Sequence, residues 1–318
     1  MDILLLEELA PDARAWLGAR HSVHYRAELL DDQAELHAAL RDVEGVIVPA
    51  NMKINRALLD LAPRLRAIGR VHDGTENVDF EACQRRQVRV IQTASATVRA
   101  SAEYLLLTLL TLFRQGVAKR GDASQRARKR RGREINDCVI GLFGLSPPAH
   151  MLATMLAPLG ARLVGYDPAV HRSSEIWRRL GVQPVVMEEM LAIADAVSLQ
   201  AIYASRYSGL INERVLGHCK PGQMWTSISR PSIFDLGALA HALQSGRISA
   251  FMMDSDDPVL LAPDCPLRGI HHLRVTPRIA PYTEEAILRG SWYLVDRMHE
   301  ALESPAPDKP APGIATAI

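Results

Sequence analysis

Residues 139–168, VIGLFGLSPPAHMLATMLAPLGARLVGYDP, have the order of residue types that nucleotide chemistry needs. An apolar run leads into a turn that begins at Gly144, then a helical segment, then a second apolar run that ends at Asp167. In such a unit the N–H groups at the start of the helix hold a pyrophosphate, and an acidic residue after the second strand binds ribose hydroxyls. The order therefore predicts a dinucleotide site.

The turn itself departs from the usual glycine pattern. Gly144 and Ala149 occupy the first and third glycine positions, and alanine is an accepted variant at the third. Ser146 replaces the glycine that lets the backbone approach the pyrophosphate. Pro147 and Pro148 suit the first turn of a helix, yet neither has an N–H to donate. We therefore expect the helix to form and cofactor binding to be weak or absent.

The elements around this unit follow one pattern over most of the 318 residues. Short apolar runs alternate with helical segments, which predicts an α/β fold with parallel strands. The strand-like runs are DILLL, VEGVIVPA, RLRAIGRV and VRVIQT in the first third, then CVIGLFG, ARLVGYD, AVSLQA, QMWTSIS, ISAFMMD and LRVTPRI. A last helix, TEEAILRGSWYLVDRMHEALE, precedes a tail rich in Pro and Ala at residues 303–318, which we expect to be disordered.

Composition narrows the class of protein. The chain is 48% hydrophobic and 23% charged with a formal net charge of +1, which is typical of a soluble globular protein and favours neither a nucleic-acid nor a membrane partner. The N-terminal run reads as a strand and not as a secretory signal, and no apolar segment is long enough to span a bilayer. The four cysteines form no C-x-x-C pair, so reduced thiols in the cytoplasm are the simplest interpretation.

Several longer motifs occur together in one order. They are ALLDLAPRLRAIGRVHDGTENVDFEACQRRQVRV, APLGARLVGYDP, SGLINERVLGHCKPGQMW, GALAHALQSGRISAFMMD and PLRGIHHLRVTPRIAPYTEEA. This series resembles the D-isomer-specific 2-hydroxyacid dehydrogenases over nearly the whole chain. The resemblance implies two doubly wound (Rossmann/flavodoxin-like) domains with a cleft between them. Residues 1–98 plus 287–302 would form the substrate domain, and residues 99–286 the NAD-binding domain of a homodimer.

The family also implies roles for particular side chains. Members transfer hydride between NAD(H) or NADP(H) and a 2-oxo or 2-hydroxy acid, and an arginine that matches Arg230 holds the substrate carboxylate. A guanidinium forms bidentate hydrogen bonds with a carboxylate, although a structural ion pair is the other interpretation of Arg230. An aspartate that contacts the nicotinamide half of the cofactor matches Asp254, and Asp167 would favour NAD.

The proton-transfer pair of the family is changed at both positions. The family has a histidine where TPRIAPY places Arg278, and a glutamate where this chain has Val259. Arginine stays protonated in proteins and valine carries no charge, so the usual acid–base mechanism is absent. Asp257 lies two positions before Val259 and need not reach the site.

Other titratable residues lie in the substrate-loop motif. The family has a glycine-rich V-G-x-G there, and this chain has VHDG, with His72 and Asp73 as new side chains. His72 could replace the lost acid, because histidine exchanges protons near neutral pH. Alternatively, both residues only fill the cleft. The basic run at residues 126–134 is either a solvated loop or a landing site for an anionic ligand or partner.

These observations leave three functions open. The first is a 2-hydroxyacid dehydrogenase of altered mechanism that prefers NAD. The second is a non-catalytic relative that binds a small anionic ligand between Arg230 and Arg278, or a partner protein. The third is a non-redox enzyme that uses His72 and Asp73. No metal site is predicted.

Overall fold

The computed structural model describes residues 2–49, 52–71, 77–93, 95–114, 131–201 and 207–304. The chain divides into two compact units, Met1–Thr97 with Glu284–Ile318, and Val98–Thr283. Among the described residues, no helix combines the length and the apolar character that crossing a membrane requires.

The first unit is a five-stranded parallel sheet in the order β2-β1-β3-β4-β5. Its strands are β1 (Asp2–Leu5), β2 (Ser22–Tyr25), β3 (Gly45–Val48), β4 (Ala67–Arg70) and β5 (Arg89–Gln92). Its helices are α1 (Pro11–Gly18), α2 (Gln33–Leu40), α3 (Arg56–Leu61), α4 (Phe80–Arg85) and the last helix of the chain, α11 (Glu284–Glu303).

Side chains alternate along the strands, so both faces of this sheet are apolar and pack against helices. Leu4 and Val46 point into a core with α2 and α3, whereas Ile3 and Ile47 point into a core with α1 and α11. Helices on both faces are typical of parallel sheets, because each crossover must lie over one face. Side-chain N-caps start three of the helices, with Asp32 before α2, Asn55 before α3 and Asp79 before α4.

The second unit is a seven-stranded parallel sheet in the order β12-β11-β10-β9-β6-β7-β8. Its strands are β6 (Val139–Phe143), β7 (Arg162–Tyr166), β8 (Gln183–Pro184), β9 (Ala196–Leu199), β10 (Gln223–Ser227), β11 (Ile248–Asp254) and β12 (Leu273–Thr276). Its helices are α5 (Val98–Phe113), α6 (Pro147–Leu156), α7 (Glu175–Leu180), α8 (Met187–Ile193), α9 (Glu213–Leu216) and α10 (Leu236–Gln244).

This sheet also has a core on each face. One core contains Ile140 and Leu142 with α5 and α6, and the other contains Phe143 with α8 and α10. Strand order reverses at β6, since β7 and β8 extend to one side and β9 to β12 to the other. Both units are therefore doubly wound α/β folds, as the sequence predicts, and ligands of such folds bind outside the carboxyl ends of the strands where the order reverses.

A buried carboxylate fixes the opposite, amino-terminal edge of this sheet. Asp195 precedes β9, and its carboxylate accepts hydrogen bonds from the Val139 N–H (2.9 Å), Lys220 Nζ (2.7 Å) and an Arg133 guanidinium nitrogen (3.0 Å). Burial by itself raises the pKa of Asp195, but these hydrogen bonds outweigh it and lower the pKa to about 2. Arg133, from the basic run, thus has a structural role.

We expect Asp195→Asn to lower the free energy of unfolding by about 2 kcal/mol at neutral pH, the value of a pKa depressed by about two units. A depressed carboxyl pKa stabilises the fold above its unfolded value of about 3.9, and this contribution is lost as the pH falls toward 2. Denaturant unfolding of both proteins over this range should show the difference shrinking with acidification. Asp264→Asn, at an exposed position, is the control. A difference that stays constant with pH would contradict the assignment.

Candidate functional site

The candidate site residues of the second unit follow the carboxyl ends of parallel strands. Gly144 comes after β6, Asp167 after β7 and Arg230 shortly after β10, while Asp254 ends β11 and Arg278 follows β12. Because these strands are all parallel in one sheet, the five residues lie along the same edge of it. Gly144 lies where the strand order reverses, and Arg278 lies at the far end of the row.

The turn after β6 is built around a glycine that no other residue can replace. Gly144 has a φ of +90°, and its N–H donates to the Tyr166 carbonyl (2.8 Å). A Cβ atom at this position would lie 2.6 Å from the Cα of Ala201. Both the backbone conformation and the contact therefore require glycine.

Gln200 holds this turn from the neighbouring strand. Its side-chain amide donates to the carbonyls of Gly144 (2.7 Å) and Phe143 (3.2 Å), and its carbonyl accepts from the Ser198 hydroxyl (2.6 Å). Gln200 and Ser198 are fully buried or nearly so. Gln200 was not predicted as a site residue. A glutamine after a strand gives no indication in the sequence that it contacts a residue 56 positions away.

The first turn of α6 is short of N–H donors, as the sequence predicts. Pro147 and Pro148 are its first two residues, and Ser146 is the N-cap. The N–H of His150 bonds to the Ser146 carbonyl (3.2 Å). This leaves Ala149 as the residue of the first three helical positions that has an N–H to offer an anion.

Ser146, the N-cap of α6, carries a hydroxyl group at this turn. Its side chain is buried, and within the described parts of the chain its Oγ has no hydrogen-bond partner. A buried hydroxyl left unsatisfied costs free energy, so such a group marks a position where an absent ligand or water completes the bonding. This hydroxyl lies at the start of α6, where N–H groups bind anions in such folds.

Asp167 joins the turn to the end of β7. One carboxylate oxygen accepts from the Leu145 N–H (2.6 Å), and the other accepts from the Ala169 N–H (2.7 Å). Asp167 is only partly buried. A carboxylate has about four lone-pair positions, so two remain for hydroxyl groups of a ligand.

Asp254 shapes the loop that carries Arg278. Its buried carboxylate accepts from the Thr276 hydroxyl, the Ile279 N–H (2.8 Å) and the Ala280 N–H (2.7 Å). These bonds fold residues 276–280 back toward the end of β11. From its sequence position Asp254 was expected to contact the cofactor, and this anchoring role was not foreseen.

A tyrosine of α5 extends this network. The hydroxyl of Tyr104 lies 2.7 Å from that of Thr276, and burial raises the pKa of Tyr104 to about 12. Because Thr276 gives its single proton to Asp254, the neutral phenol donates to Thr276.

The two arginines occupy different surroundings. Arg230 is the N-cap of a short 3-10 helix, Pro231–Ile233, and is partly buried. Arg278 has a φ of +52°, which is uncommon for a residue with a side chain, and its guanidinium lies 3.8 Å from the Asp256 carboxylate. Backbone strain of this kind is concentrated at functional positions.

The segment that the sequence matched to the family glutamate forms a short 3-10 helix. Val259 is 41% exposed in the 3-10 helix Pro258–Leu260. The Asp257 carboxylate accepts from the Val259 N–H (3.1 Å) and so caps its own turn.

Two sequence-predicted residues, His72 and Asp73, lie outside the described residues, as does most of the basic run at 126–134. Their proposed roles stay predictions.

Comparison with known proteins identifies the family. The family model described as "D-isomer specific 2-hydroxyacid dehydrogenase, NAD binding domain" matches residues 105–280. The (S)-sulfolactate dehydrogenase of Chromohalobacter salexigens is 32% identical over 309 residues, which are 95% of this chain and 98% of that protein. The human D-3-phosphoglycerate dehydrogenase is 31% identical over 69% of this chain, but the match spans only 42% of that longer protein.

Solved structures agree in fold. The TT0316 protein of Thermus thermophilus has a TM-score of 0.81 at 26% identity, with 98% of this chain and 99% of that chain covered. A D-lactate dehydrogenase of Aquifex aeolicus has a TM-score of 0.78 at 20% identity, with 95% and 96% covered. The chain belongs to the D-isomer specific 2-hydroxyacid dehydrogenases, a family of NAD-binding oxidoreductases.

The residues present fit NAD with fewer donors than the usual turn supplies. Gly144 provides the required backbone turn, and Asp167 keeps lone pairs at the place for ribose hydroxyls. Ala149 is fully buried, as expected where the helix packs closely on the sheet. Pro147 and Pro148 offer no N–H at this turn, and the Ser146 hydroxyl beside them has no partner among the described residues.

We expect Gly144→Ala to destabilise the second unit by several kcal/mol, because positive φ costs about 1–3 kcal/mol and the new methyl group also meets the Ala201 backbone at 2.6 Å. Gly181→Ala is the matched control, since Gly181 has a φ of +66° but no atom within 4 Å of a Cβ there. Unfolding in denaturant should show a much larger loss for Gly144→Ala. Equal losses would show that backbone conformation alone requires the glycine.

Proposed function

We propose that this protein is an NAD(H)-dependent oxidoreductase that transfers hydride to or from a small 2-oxo or 2-hydroxy acid. One observation carries the proposal. The nucleotide turn at Gly144, the carboxylate Asp167 and two arginines, Arg230 and Arg278, all follow carboxyl ends of strands in one parallel sheet. This row suits an elongated cofactor with an anionic substrate at one end.

The cofactor would lie against the β6–α6 turn. Asp167 would accept hydrogen bonds from ribose hydroxyls, and the N–H of Ala149 together with the Ser146 hydroxyl would donate to the pyrophosphate. NAD(H), when bound, supplies or takes up the hydride. The contacts to the pyrophosphate would be the weakest of the site, because Pro147 and Pro148 have no N–H groups to donate.

The substrate carboxylate would bind to Arg230. A guanidinium offers two parallel N–H groups to a carboxylate, and this fixes the orientation of the acid as well as its charge. The relatives suggest the chemical class of the substrate. Two relatives are named after sulfolactate and 3-phosphoglycerate, and both of these are 2-hydroxy acids with a second anionic group.

Arg278 would stabilise negative charge and would not transfer a proton. During reduction of a 2-oxo acid, negative charge develops on the oxygen at C2, and a positioned guanidinium stabilises that charge. Arginine does not release its own proton at neutral pH. Proton transfer by His72 stays a hypothesis from the sequence, which rests on the fact that imidazole exchanges protons in this pH range.

A second candidate function rests on the predicted change of the acid–base pair. Val259 is exposed, and the Asp257 carboxylate accepts a hydrogen bond from the Val259 N–H. A relative without turnover would bind a small anionic ligand through its arginines and would act as a sensor or scaffold. Binding of NADH without oxidation of it by any 2-oxo acid would favour this second function.

We expect Pro147→Ala combined with Pro148→Ala to bind NADH at least about tenfold more tightly, since even one restored N–H that forms a hydrogen bond with an anion is worth about 1.5–3 kcal/mol. Fluorescence titration of NADH measures the affinity. Pro158→Ala, in the 3-10 helix after α6, is the matched control because that proline lies away from the turn. An unchanged affinity in the double variant would show that these amides do not face the cofactor.

We expect Arg230→Ala to lower kcat/KM for 2-oxo acids by at least about 100-fold, consistent with the loss of a charge-assisted pair, and to leave the affinity for NADH unchanged. Arg230→Lys should recover little of the loss, because an ammonium lacks the planar fork. Arg214→Ala, at an exposed position of α9, is the control. The panel should include 2-oxo acids with and without a second anionic group. Full activity in Arg230→Ala would remove Arg230 from the substrate site.

A further inference from the structure

Three side chains of the first unit that can ligate a metal ion lie close together. His21 follows α1, and His299 and Glu303 lie on α11. One ligand atom from each residue lies within 4.8 Å of the other two. His299 and Glu303 are four residues apart, so they face the same side of the helix one turn from each other.

The imidazole pair is already at nearly the separation that a metal ion imposes. The Nε2 of His21 lies 2.9 Å from the Nδ1 of His299, with one proton shared between them. Ligand bonds of about 2.0–2.1 Å to a tetrahedral ion would place two nitrogens about 3.3 Å apart. An ion replacing the shared proton would need the nitrogens to move apart by about 0.4 Å and both rings to turn, so that each lone pair points at the ion.

The surroundings hold both rings in place. The backbone N–H of His21 donates to the Leu17 carbonyl (2.9 Å), and the His21 side chain is buried. The ring of Trp16 meets the ring of His299 edge to face, with centroids 5.4 Å apart. Preorganised rings lose little conformational entropy when they bind an ion.

The third ligand, Glu303, has room to turn toward the two imidazoles. Glu303 is exposed and is the last residue of α11, so its side chain can turn toward the imidazoles. The charge of Arg20 opposes a cation, but its guanidinium lies 3.9 Å from the centre of the Trp16 ring and donates to the Trp16 carbonyl (2.9 Å). These contacts hold the guanidinium against Trp16.

We infer that His21, His299 and Glu303 form a binding site for a divalent transition-metal ion of the zinc type. Two imidazoles and one carboxylate are a donor set that Zn²⁺ takes, with water in the fourth position. Mg²⁺ and Ca²⁺ take oxygen ligands and are therefore excluded by the two nitrogens. The ion would link the segment after α1 to the end of α11, across 278 residues of sequence.

The experiment titrates chelator-treated full-length protein with Zn²⁺ and measures binding by calorimetry. A second titration with Co²⁺ is monitored by visible absorption. We expect one ion per chain, micromolar affinity or tighter, a tetrahedral Co²⁺ spectrum and a rise in Tm with Zn²⁺ but not with Mg²⁺. Any stoichiometry other than one, or no Co²⁺ spectrum, would overturn the assignment.

Variants test two of the three ligands separately. His299→Ala and Glu303→Gln should each weaken Zn²⁺ binding at least about tenfold, because even residues that only support a ligand cost 10–100-fold. Glu303→Gln changes an exposed side chain, so it also serves if His299→Ala is poorly folded. His24→Ala is the matched control, since His24 is an exposed histidine of the same unit. Equal weakening by His24→Ala, or none by Glu303→Gln, would overturn the site.

Discussion

The parallel pairing of β6 with both of its neighbours is the constraint on which the second unit depends. β7 and β9 flank this strand, and all three end at the same edge of the sheet. Gly144 is the first residue beyond β6, and its N–H and carbonyl are bonded to the residues that end β7 and follow β9. The start of α6 and the position of Asp167 follow from this arrangement. The turn is therefore rigid whether or not a ligand occupies it.

Most of the fold could be predicted from apolar runs, and the exceptions have a physical reason. The inner strands are buried on both faces, so they read as continuous apolar segments such as GVIV in β3. β2 and β8 were not predicted. β2, SVHY, is an edge strand with a largely exposed polar face, and β8 has only two residues, Gln183 and Pro184. Edge strands bury too little surface to need an apolar run.

The site was predictable where a local motif carries the information and not where distant residues meet. Gly144 and Asp167 stand at positions that a strand–turn–helix pattern defines. The bonds of Gln200 to the turn and of Asp254 to residues 276–280 join segments 56 and 22–26 residues apart. Any glutamine or aspartate after a strand looks alike in sequence, so these bonds became visible only in three dimensions. The same holds for the pairing of His21 with His299.

The first turn of α6 combines two requirements that conflict. Proline favours the start of a helix because its φ is preset and its missing N–H is not needed there. The same missing N–H groups are the ones that would face a bound anion. Pro147 and Pro148 therefore favour the helix over the ligand. The hydroxyl of Ser146, at the same helix start, is buried without a partner among the described residues.

The carboxylate of Asp254 has a consequence for the position that follows β12. Its partners are the Thr276 hydroxyl and the N–H groups of Ile279 and Ala280, and none of them belongs to the side chain of Arg278. The path of the backbone is thus set independently of the side chain it presents. Residues of different chemistry, histidine or arginine, can exchange at position 278 without altering the loop. Proteins that share this loop can therefore differ in the side chain that it presents.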